Sequence, residues 1–190
     1  MSFEAAQRSL RRLGAQRPTR PLHYRERGAL PHVSRQAPPW PKLLLDATVY
    51  IDELQGRLPQ ELEPHLRAAP VWHSSVTEGE LAVAAGRLDP AHPETRQAIR
   101  QTLAALDRRP PHRILTPTRE EWREAGMLAG LLARLQGYAK ADLRRAFHDA
   151  LLLVAAARHG CAVLTRNTRD FDLLQQLLPA GRVLFYDHLS

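Results

Sequence analysis

Apolar residues fall in short runs along the chain, and their spacing predicts the elements. The densest run lies in residues 147–171, FHDALLLVAAARHGCAVLTRNTRDF. Residues 150–157 are apolar on every side, as in a helix buried in a core, and Asp149 stands at the start of that helix. Gly160 then supplies a stop, because glycine accepts the left-handed conformation that closes many helices. Residues 161–164 form an apolar run too short for a helix and suited to a buried strand. Similar runs predict strands at Lys42–Leu45, Val71–Ser74 and 182–186, with a brief apolar segment at Ile114 and Leu115. Helices are predicted at Ala47–Leu54, 59–68, 77–85, from His92-Pro93 to Asp107, from Thr118 to Gln136, and at 173–178. Thr77 with Glu80 reads as a capping box, and Thr118 as a cap with Glu120 and Glu121 in its first turn. Strands alternating with helices imply an α/β fold with a parallel sheet.

Residues 1–41 break this pattern. A short amphipathic helix over 3–13 would set Leu10 and Leu13 against arginines, and six prolines between 18 and 41 then favour an extended linker. Charge sharpens the division. The chain of 190 residues carries a net +7, yet residues 1–40 hold eight arginines against Glu4 and Glu26, a net +6. The expectation is a basic, Pro-rich and largely disordered arm, residues 1–41, ahead of one domain, residues 42–190. Such an arm suits an anionic partner such as nucleic acid as well as it suits plain solvation. No apolar run is long enough to span a membrane, and the first residues lack a secretory signal. The single cysteine, Cys161, sits in the apolar run, in keeping with a core residue in a reducing cytoplasm.

In an open α/β sheet, ligands bind beyond the carboxyl ends of the strands. Asp46 ends the first strand, Glu80 lies in the helix after the second, and Asp149, Asn167 and Asp170 flank the third. Carboxylates brought together repel and raise one another's pKa unless a cation neutralises them. Hard oxygen donors with no Cys/His set point to Mg²⁺ or Mn²⁺, which suit phosphodiester hydrolysis. Each residue also has a plainer reading. Asp46 suits an N-cap, Glu80 the capping-box partner of Thr77, Asp149 an ion pair with Arg144 or Arg145, and Asp170 a loop cap. Glu78 is expected to face solvent, and His148, about 100° round the helix from Asp149, to be non-catalytic. Arg166 and Arg169 are candidates for gripping substrate phosphate. No G-x-S-x-G elbow, phosphate-binding glycine loop or paired-cysteine zinc site occurs, and the three tryptophans are scattered.

Four blocks carry a resemblance: LLLDAT at 43–48, SSVTEGEL at 74–81, HDA at 148–150 and TRNTRDF at 165–171. They resemble, in order, the signature blocks of PIN domains, and most of all those of the VapC-type toxins of toxin–antitoxin pairs. The resemblance implies a three-layer α/β/α Rossmann-like fold with a central parallel sheet. It implies a Mg²⁺- or Mn²⁺-dependent endoribonuclease cutting structured RNA such as tRNA or rRNA, commonly a homodimer and inhibited by an antitoxin protein. Helices 59–68 and 118–136 are the candidate dimer surfaces. By position, Asp46, Glu80 and Asp149 match the family's first three acids, and Asp170 occupies the position before Phe171 near the fourth. The resemblance then implies Asp46, Asp149 and Asp170 on the metal and Glu80 orienting water. Thr48 and Thr165 match supporting polar positions. Asn167 stands where many members carry aspartate and adds no charge, which weakens a second metal site and leaves a second expectation, a PIN-fold binding module with weak or no nuclease activity.

Overall fold

A computed structural model describes residues 3–188; the ends of the expected arm and domain, residues 1–2 and 189–190, lie outside the described residues. Five strands, β1 (Lys42–Leu45), β2 (Val71–Ser74), β3 (Ile114–Leu115), β4 (Cys161–Thr165) and β5 (Arg182–Phe185), form one sheet in the order β3-β2-β1-β4-β5, every pair parallel. The expected α/β/α architecture is therefore present. Side chains alternate between two cores. Leu44, Val163, Val183 and Phe185 face one, with Leu43, Leu45, Ala162, Leu164 and Leu184 facing the other. A strand buried on both faces reads as a continuous apolar run, which is why these runs lack polar alternation.

Helices α6 (Arg119–Gln136), α7 (Lys140–His159) and α8 (Thr168–Leu177) cover the first face. The second is covered by α2 (Ala47–Leu54), Leu62 ahead of α3 (Glu63–Ala68), α4 (Ser75–Gly86) and Leu106 of α5 (Pro93–Asp107). Thr118 caps α6 in a reciprocal box with Glu121. Gly137 and Gly160, at φ of 64° and 67°, close α6 and α7 in the left-handed conformation.

Two boundaries differ from the sequence reading. Helix α4 begins earlier, because Ser74 caps it by accepting from the Val76 amide. Thr77 is therefore inside the helix, where its hydroxyl donates to the Leu45 carbonyl, and Glu80 is not a capping partner. Helix α7 begins at Lys140, which puts Asp149 at its middle rather than its start. Its first half is amphipathic and half-exposed, so the all-apolar pattern marks only where the helix enters the core.

The arm is the larger difference. Helix α1 (Phe3–Arg12) packs on α6 and buries Leu10, and Leu30 and Val33 join the two cores. Residues 15–36 then run over α8 and β5. The Gln16 amide donates to the Leu177 carbonyl, Gln136 Nε2 to the Leu22 carbonyl, and the Phe185 amide to the Pro31 carbonyl. Prolines exclude a long helix but not docking, and scattered Leu and Val between them carry the contact. The arm's cover on α6 takes up part of a helix expected as a dimer surface.

Candidate active site

The strand order reverses between β1 and β4, so the crevice past their carboxyl ends is the switch point where open α/β sheets take ligands. Asp46 follows β1 there. It occupies the N-cap position of α2 without using its side chain as a cap. Instead, Oδ2 accepts hydrogen bonds of 2.7 Å from Thr48 and 2.7 Å from Thr165, the residue that ends β4. Thr165 also accepts from the Asn167 amide, and Thr48 from that of Arg166, so the two threonines tie the β4 loop to the first acid.

Asp149 enters from α7, with its Oδ2 3.1 Å from Asn167 Nδ2. Asn167 caps α8, because its Oδ1 accepts from the Asp170 amide, which commits the amide nitrogen to Asp149. The carbonyl that a metal would need is thus engaged by the helix. Asp170 accepts from the Tyr138 hydroxyl at 3.2 Å and pairs with Arg145 Nε at 3.4 Å. Glu80 reaches in from α4, its Oε1 3.1 Å from His148 Nδ1.

Burial lifts the Asp149 carboxyl well above the usual carboxylate range. The charges of Asp46, Asp170 and Glu80 lift it further, against a smaller pull from Arg145. Burial also raises Asp46, partly offset by the two threonine hydroxyls, with Glu80 adding to the rise. The four acids therefore sense one another across one crevice. Asp46 and Asp149 have no ion pair among the described residues. No three His, Cys, Asp or Glu side chains there lie close enough to hold an ion as they stand. The donor chemistry still fits a hard divalent cation: oxygen ligands only, two of them buried without a counter-charge.

A PIN-domain family model matches residues 43–176. The chain belongs to the PIN-domain family. PIN domains are generally nucleases, and generally depend on divalent metal ions. No curated protein sequence matches the chain. Among solved structures, this PIN domain is similar in fold to VapBC-5 from Mycobacterium tuberculosis, a member of the VapBC family of toxin–antitoxin systems. That match has a TM-score of 0.54 at 20% identity, covering 76% of this chain and 98% of that one. It is also similar to VapBC2 from Rickettsia felis, solved bound to a DNA fragment from their promoter (TM-score 0.53, 14% identity, 77% of this chain and 99% of that one). A third is DNA-bound VapBC from Salmonella typhimurium (TM-score 0.51, 20% identity, 75% and 96%). At these identities the likeness is one of fold.

Several expectations change at residue level. Glu78, expected in solvent, lies 3.7 Å from the buried Arg109, which in turn stacks on the Tyr50 ring at 3.9 Å. A two-residue offset did take Glu78 off the Glu80 face, but the α5–β3 connection covers the face it took. Arg145, expected at Asp149, contacts Asp170 directly and Asp149 only through its field. Arg166 turns inward, its Nε 2.7 Å from the fully buried Asp52. Arg169 is over half exposed and 3.7 Å from Asp142. Tyr138 was missed as a neighbour of the acids, and His148, expected beside Asp149 as a non-catalytic residue, pairs with Glu80. Tyr138 left no signal, since it lies outside every block, whereas His148 stands inside HDA beside Asp149. No helix among the described residues is long and apolar enough to cross a membrane.

Proposed function

We propose that the chain is a Mg²⁺- or Mn²⁺-dependent endoribonuclease, the toxin of a type II toxin–antitoxin pair, hydrolysing phosphodiester bonds in tRNA or rRNA. The observation that carries the reading is the pairing of two buried, uncompensated acids, Asp46 and Asp149, at the sheet's switch point, with Glu80 and Asp170 within their field. Similarity in fold to VapBC proteins supports the toxin assignment and an antitoxin protein as partner; a homodimer in the cytoplasm completes the proposal.

Asp46, Asp149 and Asp170 would hold the ion, which supplies charge neutralisation at the scissile phosphate and a more acidic water. Thr48 and Thr165 both donate to Asp46 Oδ2 and so fix the orientation of its carboxylate. Glu80, held by His148, is placed to accept a proton from the attacking water. Asn167 steadies Asp149 through its amide and adds no charge. Attack in line leaves a 3′-hydroxyl and a 5′-phosphate.

A second reading, a PIN-fold RNA- or protein-binding module with weak or no nuclease activity, rests on Asn167 and on the ties of Asp170 to Tyr138 and Arg145. One assay separates the two: cleavage of total tRNA and rRNA by purified protein in Mg²⁺, Mn²⁺ or EDTA. The nuclease reading expects metal-dependent cutting that falls at least about 100-fold in Asp46→Asn and Asp149→Asn. Absence of cutting by folded wild type in either metal favours the binding module, and cutting that survives both substitutions places the site elsewhere.

A further inference from the structure

Beyond the acidic crevice, the arm and the β4–α8 loop enclose a second recess of about 620 Å³. Its chemistry is the opposite of the crevice's. Arg25 and Arg27 of the arm line it together with Arg166, Arg169, Asp172 and Asp187. Asp172 is already committed: the Arg25 main-chain amide and Nε bind it at 2.8 and 2.6 Å, and Arg25 Nη2 reaches Gln175 at 2.6 Å. Gln176 Nε2 further holds the His23 carbonyl at 3.0 Å. These contacts pin the stretch that presents Tyr24 and Arg27.

Two of the cations remain open to a ligand. The Arg27 and Arg169 side chains are 80% and 57% exposed, and their aspartate partners are surface groups. Exposed pairs of this kind contribute little and exchange readily for phosphate, with which arginine forms a bidentate contact. Tyr24, 57% exposed, sits within hydrogen-bonding reach of Arg169 and offers a ring face. The recess lies beside one of the acids through the α8 residues that line it. Arg169 is the neighbour of Asp170, whose field is the main influence on its guanidinium, and Tyr24 is electrostatically close to Tyr138, the hydroxyl donor to Asp170.

We propose that this arm-built recess binds the backbone of single-stranded RNA next to the acidic crevice, with Arg27 and Arg169 on phosphates and Tyr24 stacking a base. The inference rests on the nuclease reading for its substrate class and extends it to residues outside the matched domain. An acidic peptide would use the arginines, but an exposed ring between them and a hydrolytic crevice alongside both suit a nucleotide chain.

The test is anisotropy of a fluorescein-labelled 12-nucleotide oligouridylate with the full chain in EDTA, over a range of salt, so that no cutting intervenes. For Arg27→Ala/Arg169→Ala the expected result is about tenfold weaker binding and a salt slope shallower by about 1.4, or roughly 0.7 for each phosphate no longer held. Tyr24→Ala is expected to bind at least about fivefold more weakly, and Tyr24→Phe, which keeps the ring, to recover most of that. Arg96→Ala/Arg100→Ala, exposed on α5, matches the charge change and should bind as wild type does. Affinities for the recess variants equal to that control overturn the proposal. So does a wild type that ignores the oligonucleotide but binds a fluorescein-labelled oligoglutamate. RNA held through Arg27, Arg169 and Tyr24 but never cut in Mg²⁺ or Mn²⁺ would fail the nuclease reading and leave the recess standing. Normal cutting with unchanged affinity in the variants would do the reverse.

Discussion

The molecule buries acids in two ways. Away from the sheet edge, each comes with its answer. Glu124, fully buried, is gripped by both Nε and Nη2 of Arg158, and Asp172 by Arg25. Asp52 takes the Tyr186 hydroxyl at 2.8 Å with Arg166 beside it, and Glu121 closes the capping box of α6. At the crevice, Asp46 and Asp149 are buried too, at 4% and 6% exposed, but have hydroxyl and amide partners and no ion pair among the described residues. A buried charge is costly unless paired. The first set supports the fold, whereas the second carries a cost that protonation or a bound cation relieves. Burial alone does not mark a functional acid; burial without a counter-charge does.

The sharpest way to break this contrast is Arg158→Ala. Removing one partner of a buried pair leaves an uncompensated charge, and about 3 kcal/mol is the expected loss. For a chain of this size that lowers Tm by roughly 6–12 °C. Arg158 also donates to Ser9 of α1 at 2.6 Å, so the arm loosens with it. Adding Glu124→Gln should recover most of the loss, because no charge then stays buried. A thermal melt that shows wild-type stability for the single variant would mean that Glu124 needs no counter-ion, and the contrast would fall.

The opposite sign is expected at the crevice. Asp149→Asn removes a carboxylate that burial and three neighbouring acids disfavour, while an amide still satisfies Asn167. Metal-free protein at pH 7 should gain about 1 kcal/mol, seen as a Tm raised by roughly 2–4 °C. The folded pKa of Asp149 lies above its unfolded value, so the native state binds the extra proton between the two. Wild-type stability therefore falls as pH rises through that window. Thermal melts from pH 7 to pH 4 should show the advantage of Asp149→Asn shrinking as wild-type Asp149 becomes protonated. A variant less stable than wild type at pH 7 would place Asp149 among the structural acids.

Part of this was legible in the chain. Apolar runs marked four of the five strands nearly to the residue, because a two-sided parallel strand leaves no other composition; β3, two residues long, read only as a brief apolar segment. The four signature blocks pointed to the acids, of which Asp46 sits one step beyond β1 and Asp149 where α7 enters the core, while Glu80 and Asp170 lie inside the helices that follow β2 and β4. What escaped was long-range. Arg25 reaches Asp172, and Arg166 turns to Asp52 at a separation no local period encodes. The arm's short helix with Leu10 on its apolar side was legible, but the stretch after it was read as disordered from its prolines and charge, and Leu30 and Val33, in no periodic pattern, are buried all the same. Ser74 displaced Thr77 as the α4 cap because β2 runs straight into the helix, and either residue has the right chemistry for a cap.

His148 and Glu80 lie between the two kinds of acid, and the smallest prediction concerns them. The hydrogen bond that His148 donates to Glu80 raises the His148 pKa above its ordinary 6.5, partly opposed by burial. A histidine raised in this way stabilises the fold fully below its ordinary pKa and loses that contribution as pH rises through the raised value. The side chains are 41% and 28% exposed, so solvent screens the pair and about 0.5 kcal/mol or less is at stake. Urea melts of His148→Ala should show that loss at pH 5.5 and almost none at pH 9. An equal loss at both would make the contact one of packing, in which Phe147 and His148 lie 6.2 Å apart, centroid to centroid. A loss confined to low pH would make His148 a partner that leaves as the medium turns alkaline. Glu80 would then be held like a structural acid at one pH and left bare like Asp46 and Asp149 at another, so that in alkali the crevice's demand for a cation is greatest.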